Sequence, residues 1–192
     1  MPRPIEYDRD EVLQKATELF WYNGYEQTSV RDVLNATGFN RHSLYEEFGG
    51  KAGLFKASLE YYKQHIASGM VKALQSKDAG LETIREIFKA RAEIDQQELG
   101  CLISNTLNNK HTIGKELFSI AKAYNKRVEK ALHQCISNAQ RKGEVAKEKD
   151  TKLLARYVMT IFHGLGPMSK NGISRKETVA IGEMTINLIS AK

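Results

Sequence analysis

Residues 28–48 read TSVRDVLNATGFNRHSLYEEF, two short helices joined by a tight turn. Thr28 is a good N-cap, because a side-chain oxygen can accept from a free backbone N–H at a helix start; Val30, Val33 and Leu34 then recur at helical spacing. Gly38 ends that helix, since glycine adopts the left-handed conformation that closes many helices. Asn40 caps a second helix at once, in which Leu44 and Phe48 lie four apart and share one apolar face. Arg41, His42 and Tyr45 are left to point away from that face. A short helix held out by a buried anchor helix is what entry into the DNA major groove requires, because the groove is about 12 Å wide and admits one helix.

On the N-terminal side, the spacing predicts a helix over 9–23. Asp8 caps it, Glu11 makes a capping-box variant, and Val12, Ala16, Leu19 and Phe20 form one buried stripe before Asn23-Gly24. On the C-terminal side, Gly49-Gly50 is a break, and a long helix runs from about Lys51 towards Leu74, with Leu54, Phe55, Leu59, Tyr62, Ile66 and Met70 as its apolar positions. Ser76–Gly80 (SKDAG) is the clearest interruption in the chain. Helices are expected at about 81–95, 113–142, 151–167 and 175–190, with a short one at 101–108. Arg141-Lys142-Gly143 and Asn171-Gly172 are stops, and Ser174 with Glu177 is a capping box for the last helix. Alternating strand patterns and internal repeats are lacking. The chain reads as all-α.

Composition sets the broad class. Of 192 residues, 41% are hydrophobic and 27% charged, a globular balance. The prolines stand at 2, 4 and 167, so nearly the whole chain is open to helix. MPRPIEYDRD is polar and is not a secretory signal. No run of about 18 apolar residues predicts a membrane span. Two cysteines, Cys101 and Cys135, make no disulfide framework, and a reducing cytoplasm is the simple expectation. The net charge of +6 is unevenly spread. Residues 1–64 hold 8 Lys+Arg and 10 Asp+Glu, whereas residues 65–192 hold 21 and 13. The presumptive groove reader is thus not the basic part, and the motif rather than gross charge must carry a DNA-binding reading.

At this point the residues resemble a known family. Residues 9–62 resemble the N-terminal domain of TetR-family transcriptional repressors, in the order helix, GYEQTSVRDVLNATG, NRHSLYEEFGGKAGLF, long helix. The combination of Gly24-Tyr25, Thr28, Val30, Gly38, Leu44-Tyr45, Phe48, Lys51 and Leu54-Phe55 carries it. GCLISNT at 100–106, the helix ending QRKGEV and two final helices extend it more loosely to the C-terminus. The resemblance implies residues 1–52 as a three-helix helix-turn-helix DNA-binding domain and residues 53–192 as a helical ligand-binding and dimerisation domain. It implies a homodimer on a palindromic double-stranded operator, released by a small-molecule or reactive effector. It assigns Asn40, Arg41, His42, Ser43 and Tyr45 to the recognition helix, and Thr28 and Lys51 to helix starts that contact phosphate. The local physics agrees: helix N-termini favour phosphate, Tyr45 can donate to phosphate, and Arg41 or His42 to guanine. Glu46 and Glu47 depart from the pattern, and are expected mostly to face away from DNA.

In the C-terminal half, Leu154, Tyr157, Val158, Ile161, Phe162 and Leu165, with Ile181, Met184 and Leu188, are apolar over wide arcs of the last two helices. They are the expected dimer interface, with Ala155, Gly164 and Gly182 allowing close helix approach. Tyr61, His65, Phe88, Arg91, Phe118 and Tyr124 are candidate pocket residues. The same spacing also suits plain core. Cys101, at the start of the short helix, is either an electrophile or oxidant sensor or an inert buried thiol. No metal or other cofactor is expected: His133 and Cys135 are two apart, on different helix faces, and the other histidines are scattered. Two rival classes are an enzyme and an interaction bundle that has lost DNA binding. Against an enzyme, no Walker, Gly-x-Ser-x-Gly or His-Glu-x-x-His motif occurs, and Gly164-x-Gly166 is not preceded by a strand.

Overall fold

The computed structural model describes residues 7–95 and 99–191. Residues 1–6, which the sequence reads as a polar start, lie outside the described residues. Among those described, ten α-helices and one π-helical turn form the structure, with no strand: α1 (Arg9–Asn23), α2 (Val30–Thr37), α3 (Arg41–Phe48), α4 (Lys51–Tyr61), the π turn (Tyr62–Ile66), α5 (Ser68–Leu74), α6 (Leu81–Asp95), α7 (Leu102–Asn108), α8 (Lys115–Arg141), α9 (Thr151–Lys170) and α10 (Arg175–Ile189). The all-α expectation holds.

The caps explain most boundaries. Asp8 accepts from the backbone N–H groups of Asp10 and Glu11. The reciprocal half of a capping box is not made; Glu11 instead pairs with Lys15, at 2.6 Å. Asn40 accepts from Ser43 N–H at 2.9 Å, and Gly38 and Gly49 close α2 and α3 with left-handed φ of 75° and 71°. Ser174 and Glu177 form the expected box on α10.

Three expectations need correction. First, Ser29, not Thr28, caps α2, in a full box with Asp32. Thr28 is fully buried, and its hydroxyl donates to Gly24 O at 2.7 Å. Second, the long helix from Lys51 is broken by the π turn Tyr62–Ile66, where Ala67 N–H bonds Tyr62 O at 2.9 Å. A single inserted residue makes such a turn and leaves the apolar period on either side nearly intact. Third, α9 continues past Pro167 to Lys170. Proline removes one rung, and the last turn is closed by Asn171 N–H on Met168 O and by Ser169 Oγ on Gly166 O.

The reading head is α1–α3 with α4 behind it. α1 packs on α2 and α4, and α3 on α4. Phe20, Tyr25 and Phe55 meet at ring centroids 4.8 to 6.2 Å apart. Leu44 of α3 is wholly buried with Leu54 and Leu59 of α4. Behind this, α8 lies along α9, and α6 along α10, where Gly182 permits the approach: a Cβ there would stand 2.6 Å from Phe88 Cβ. Gly164 has no such role, since nothing lies within 4 Å of its Cβ position.

The tightest junction is between α3 and α4. A Cβ on Gly53 would fall 1.6 Å from the Phe48 carbonyl oxygen. Gly53→Ala must therefore displace backbone, and it should lower unfolding stability by at least about 1–3 kcal/mol, as overpacked cores do. Urea denaturation followed by circular dichroism checks this; an unchanged midpoint contradicts the packing described.

Candidate functional site

Two regions hold the sequence-predicted functional residues. The first is the outer surface of α3. Arg41, His42, Tyr45 and Glu46 are exposed, and Ser43 is partly so. Tyr45 is half exposed, and its ring lies against Gly50, whose Cβ position is 3.1 Å from Tyr45 Cε1. His42 Nε2 stands 3.4 Å from a Glu46 carboxylate oxygen, one turn on. Glu47 is turned back to the start of α1, where Arg9 Nε donates to it at 3.1 Å. Hydrogen bonds from Tyr7 and then Arg9 hold the Glu47 carboxyl below its ordinary pKa. So of the two acids, Glu47 faces away from the outer surface of α3 and Glu46 remains on it.

The two remaining predicted residues sit behind this surface. Lys51 Nζ donates to Thr28 O at 2.8 Å and Tyr25 O at 3.0 Å, and lies 4.2 Å from the Tyr25 ring centroid. The ammonium and the buried Thr28 hydroxyl thus tie down the α1–α2 connection instead of facing outward. Both side chains shape the loop that delivers α2, which leaves the backbone N–H groups at the starts of α2 and α4 as what these positions offer a phosphate.

The second region is a cavity of about 330 Å³ bounded by the π turn, α5, α6 and the side chains of Arg91, Cys101, Tyr124 and Phe162. A recess of about 30 Å³ shares Met70, Ile87, Cys101, Tyr124 and Phe162 with it and adds Phe88, Met159 and His163. Of the predicted pocket residues, Phe88, Arg91, Cys101 and Tyr124 are brought together here. Tyr61, His65 and Phe118 are not among the lining. Tyr61 and His65 stack on each other at 4.2 Å, with His65 exposed, and Phe118 lies under Lys110. Lining residues missed from sequence include Tyr62, Met70, Glu86, Ile87, Met159 and His163, read as core or unplaced. Phe162, assigned to the dimer interface, instead packs edge-on to Phe88 with centroids 5.9 Å apart, beneath the Arg91 guanidinium.

The walls are apolar with a few polar atoms. Tyr62 OH donates to Cys101 Sγ at 3.7 Å, and Tyr124 OH donates to Ala67 O at 3.1 Å. Burial, then the nearby thiol, raises Tyr62 well above the ordinary phenol pKa and pushes Tyr124 up to about 12. Both are neutral donors at pH 7. Burial, then Arg91, lowers His163, so its imidazole is neutral there as well.

The cavity wall also touches the reading head. The Tyr62 ring lies edge-on to Trp21 of α1, centroids 5.0 Å apart. Trp21 Nε1 donates to Gly100 O at 3.2 Å, one residue before Cys101. Nothing in the periodicity singled out Trp21; an indole N–H on a buried helix face, which needs a partner, was the available signal.

Of the predicted dimer residues, Met184 and Leu188 are well exposed, at 63% and 64%. Leu154, Tyr157, Ile161 and Ile181 are half buried, and Val158 and Leu165 are buried within the protomer. Those two are part of the protomer's buried apolar cluster, and Val158 lines the recess. Leu153, part of the apolar stripe expected on this helix, and Met168, unassigned from sequence, are exposed on α9. Among the described residues no cluster of three potential metal ligands occurs, and no helix is long and apolar enough to cross a membrane.

Comparison with known proteins bears on the first region and on the fold as a whole. Residues 12–58 match the family model for bacterial regulatory proteins of the tetR family. The chain is 30% identical over 190 residues to the HTH-type transcriptional repressor ComR of Escherichia coli, covering 97% of this chain and 90% of that protein. The chain belongs to the TetR family. The regulator YezE of Bacillus subtilis is 30% identical over 162 residues, 82% of this chain and 84% of YezE. The TetR-family regulator CifR shares the fold, with a TM-score of 0.84 at 24% identity over 96% of this chain and 98% of CifR. The protein is therefore a DNA-binding transcription regulator with a TetR helix-turn-helix, and not an enzyme.

The two TetR-family cysteines differ in access. Cys101 is half buried at the cavity, whereas Cys135 is buried, donates to Gly80 O at 3.3 Å, and has its pKa pushed up to about 12 by burial. Iodoacetamide on the native protein should label Cys101 and spare Cys135 between pH 7 and 9, because a thiol with that pKa stays protonated. Peptide mass spectrometry reads this; labelling of Cys135 at a rate equal to Cys101 contradicts the assignment.

Proposed function

We propose that the protein is a cytoplasmic homodimeric repressor that binds a palindromic operator through α3 of each protomer and releases it when a small-molecule or reactive effector enters the cavity beside Cys101. The observation that carries this reading is the double role of Tyr62: its hydroxyl is at Cys101 and its ring is against Trp21 of the reading head. Material entering the cavity displaces a wall that α1 rests on. CifR has been captured with a 26 bp double-strand operator, which supports duplex DNA as the partner. The names of ComR and BdcR of Escherichia coli, the latter 27% identical over 182 residues, support repression.

Within α3, Arg41 and His42 are the base readers, and Asn40, Ser43 and Tyr45 position the helix on phosphates. Thr28 and Lys51 act one layer back by fixing the approach to α2. The dimer face is the exposed stripe of Leu153, Leu154, Tyr157, Ile161 and Met168 on α9, with Ile181, Met184 and Leu188 on α10. Two heads on one operator require such a face, since half-site spacing is set by the dimer.

Selection of duplexes from a random pool at about 150 mM salt, where contacts to phosphate alone are weakened, tests the first half. A palindrome is expected; no enrichment by a folded dimer rejects the operator reading. Arg41→Ala should cost about 1–3 kcal/mol on the selected site and relax the preference at one base pair. Equal binding by both forms removes Arg41 as a reader. For the second half, N-ethylmaleimide should lower operator affinity of the wild type, and Cys101→Ser should abolish that response. Retention of the response in Cys101→Ser retires the reactive-effector reading.

A further inference from the structure

Away from the operator-reading surface, five of the chain's 29 Lys and Arg residues meet in one place. A surface groove of about 520 Å³ runs between α8 and α9, lined by Lys126, Arg127, Lys130, His133, Lys152 and Arg156. Its carboxylate, Glu129, is already held by Arg156 Nε at 2.8 Å. Lys126, Arg127, Lys130 and Lys152 have no carboxylate within 4 Å among the described residues. These four cations converge from two helices on a concave surface that holds Glu129, with Asp150 near Lys152 and His133; positive charge remains in excess there, and an anion seated among them relieves the repulsion.

Beside His133, at one end of the groove, lie two hydroxyl groups. His133 Nε2 lies 3.1 Å from Thr151 Oγ1, which also accepts from Ser137 Oγ at 3.4 Å. An oxyanion takes up hydroxyl and imidazole N–H donors together with ammonium groups, whereas an apolar ligand does not.

Operator DNA is not the occupant. The start of α8 is anchored next to the reading head by the Lys56–Glu116 pair. At 1.5 Å per residue, Lys126 to His133 lie about 15 to 25 Å farther along the helix. The dimer face is not the occupant either. Lys152 and Arg156 precede Leu153 and Tyr157 by one position each, which places them about 100° round α9 from that face.

We propose that the α8–α9 groove is a binding site for a small polyvalent oxyanion, carrying two or more phosphate or carboxylate groups. Lys126, Lys130 and Lys152 supply charge from both walls, and Arg127 and His133 add directional N–H donors. The groove is separate from the cavity beside Cys101, so this site takes a different ligand from the effector.

Isothermal titration of the full-length protein with sodium tripolyphosphate, and in parallel with citrate, at about 150 mM salt tests the site. Saturable binding of one anion per protomer is expected. Lys126→Ala with Lys130→Ala should weaken it at least about tenfold, the loss of two charge-assisted contacts. Lys72→Ala with Lys77→Ala removes equal charge from another exposed surface and should change it less than about twofold. Binding of tripolyphosphate alone narrows the class to phosphates, of citrate alone to carboxylates, and either upholds the site. Equal weakening by the two double variants, or no saturation of either anion below about 10 mM, overturns it.

Discussion

Helix α4 has to satisfy two environments at once, and the rest of the arrangement follows from how it does so. Its first three turns bury Leu54, Phe55 and Leu59 in the reading head. The next turn carries Tyr62 to the cavity wall. A regular helix advances each residue by 100°, so a face that fits α1 and α3 does not automatically fit the cavity. The π turn at Tyr62–Ile66 absorbs that mismatch by one extra residue. The same helix leaves no room for slack at its other end, where Gly53 abuts the Phe48 carbonyl and Lys51 clasps the carbonyls of Tyr25 and Thr28. The recognition helix is thus fixed to a rod whose far end is part of a pocket.

Electrostatics in the head are local. A surplus of acids over cations in residues 1–64 argued against DNA binding on formal charge. The structure removes part of that objection without changing the count. Glu47 is taken up by Arg9 and Tyr7, Glu11 by Lys15, and Glu60 by Lys63. Asp8 and Asp32 are spent capping helices. Each acid paired with a cation contributes little field at the outer surface of α3, where Arg41, His42 and Tyr45 stand, while Asp8 and Asp32 keep their charge but direct it into helix starts. Glu46 is the remaining carboxylate on that surface, within 3.4 Å of His42.

Much of this was legible in the sequence because helices announce their periods and their ends. The capped starts at Asp8, Asn40 and Ser174 and the glycine stops at 24, 38 and 49 all hold. What was misread has physical causes. Thr28 and Ser29 are adjacent hydroxyls, and only the reach of Asp32 back to Ser29 N–H decides between them. The π turn leaves no residue signature. Tyr62 was placed as an apolar position of the long helix, and its hydroxyl, the atom at Cys101, carries no periodic signal.

The hardest residues were those on α9, and they show why apolarity underdetermines a partner. Val158, Phe162 and Leu165 look no different in sequence from Leu154, Tyr157 and Ile161. Val158 and Leu165 are buried and Phe162, itself half buried, lines the cavity; the second set is half buried and lines neither the cavity nor the recess. A helix apolar over most of its circumference must be covered on more than one side, yet composition does not say by what. Packing within the protomer answers for one arc only. The arc left over, with Leu153 and Met168, continues onto Met184 and Leu188 of α10 and avoids the charged stripe of Lys152 and Arg156. An exposed apolar arc on two helices, bordered by cations on one side, meets the requirement of the homodimer proposed above, because a second copy of the same arc would cover it without burying an unpaired charge.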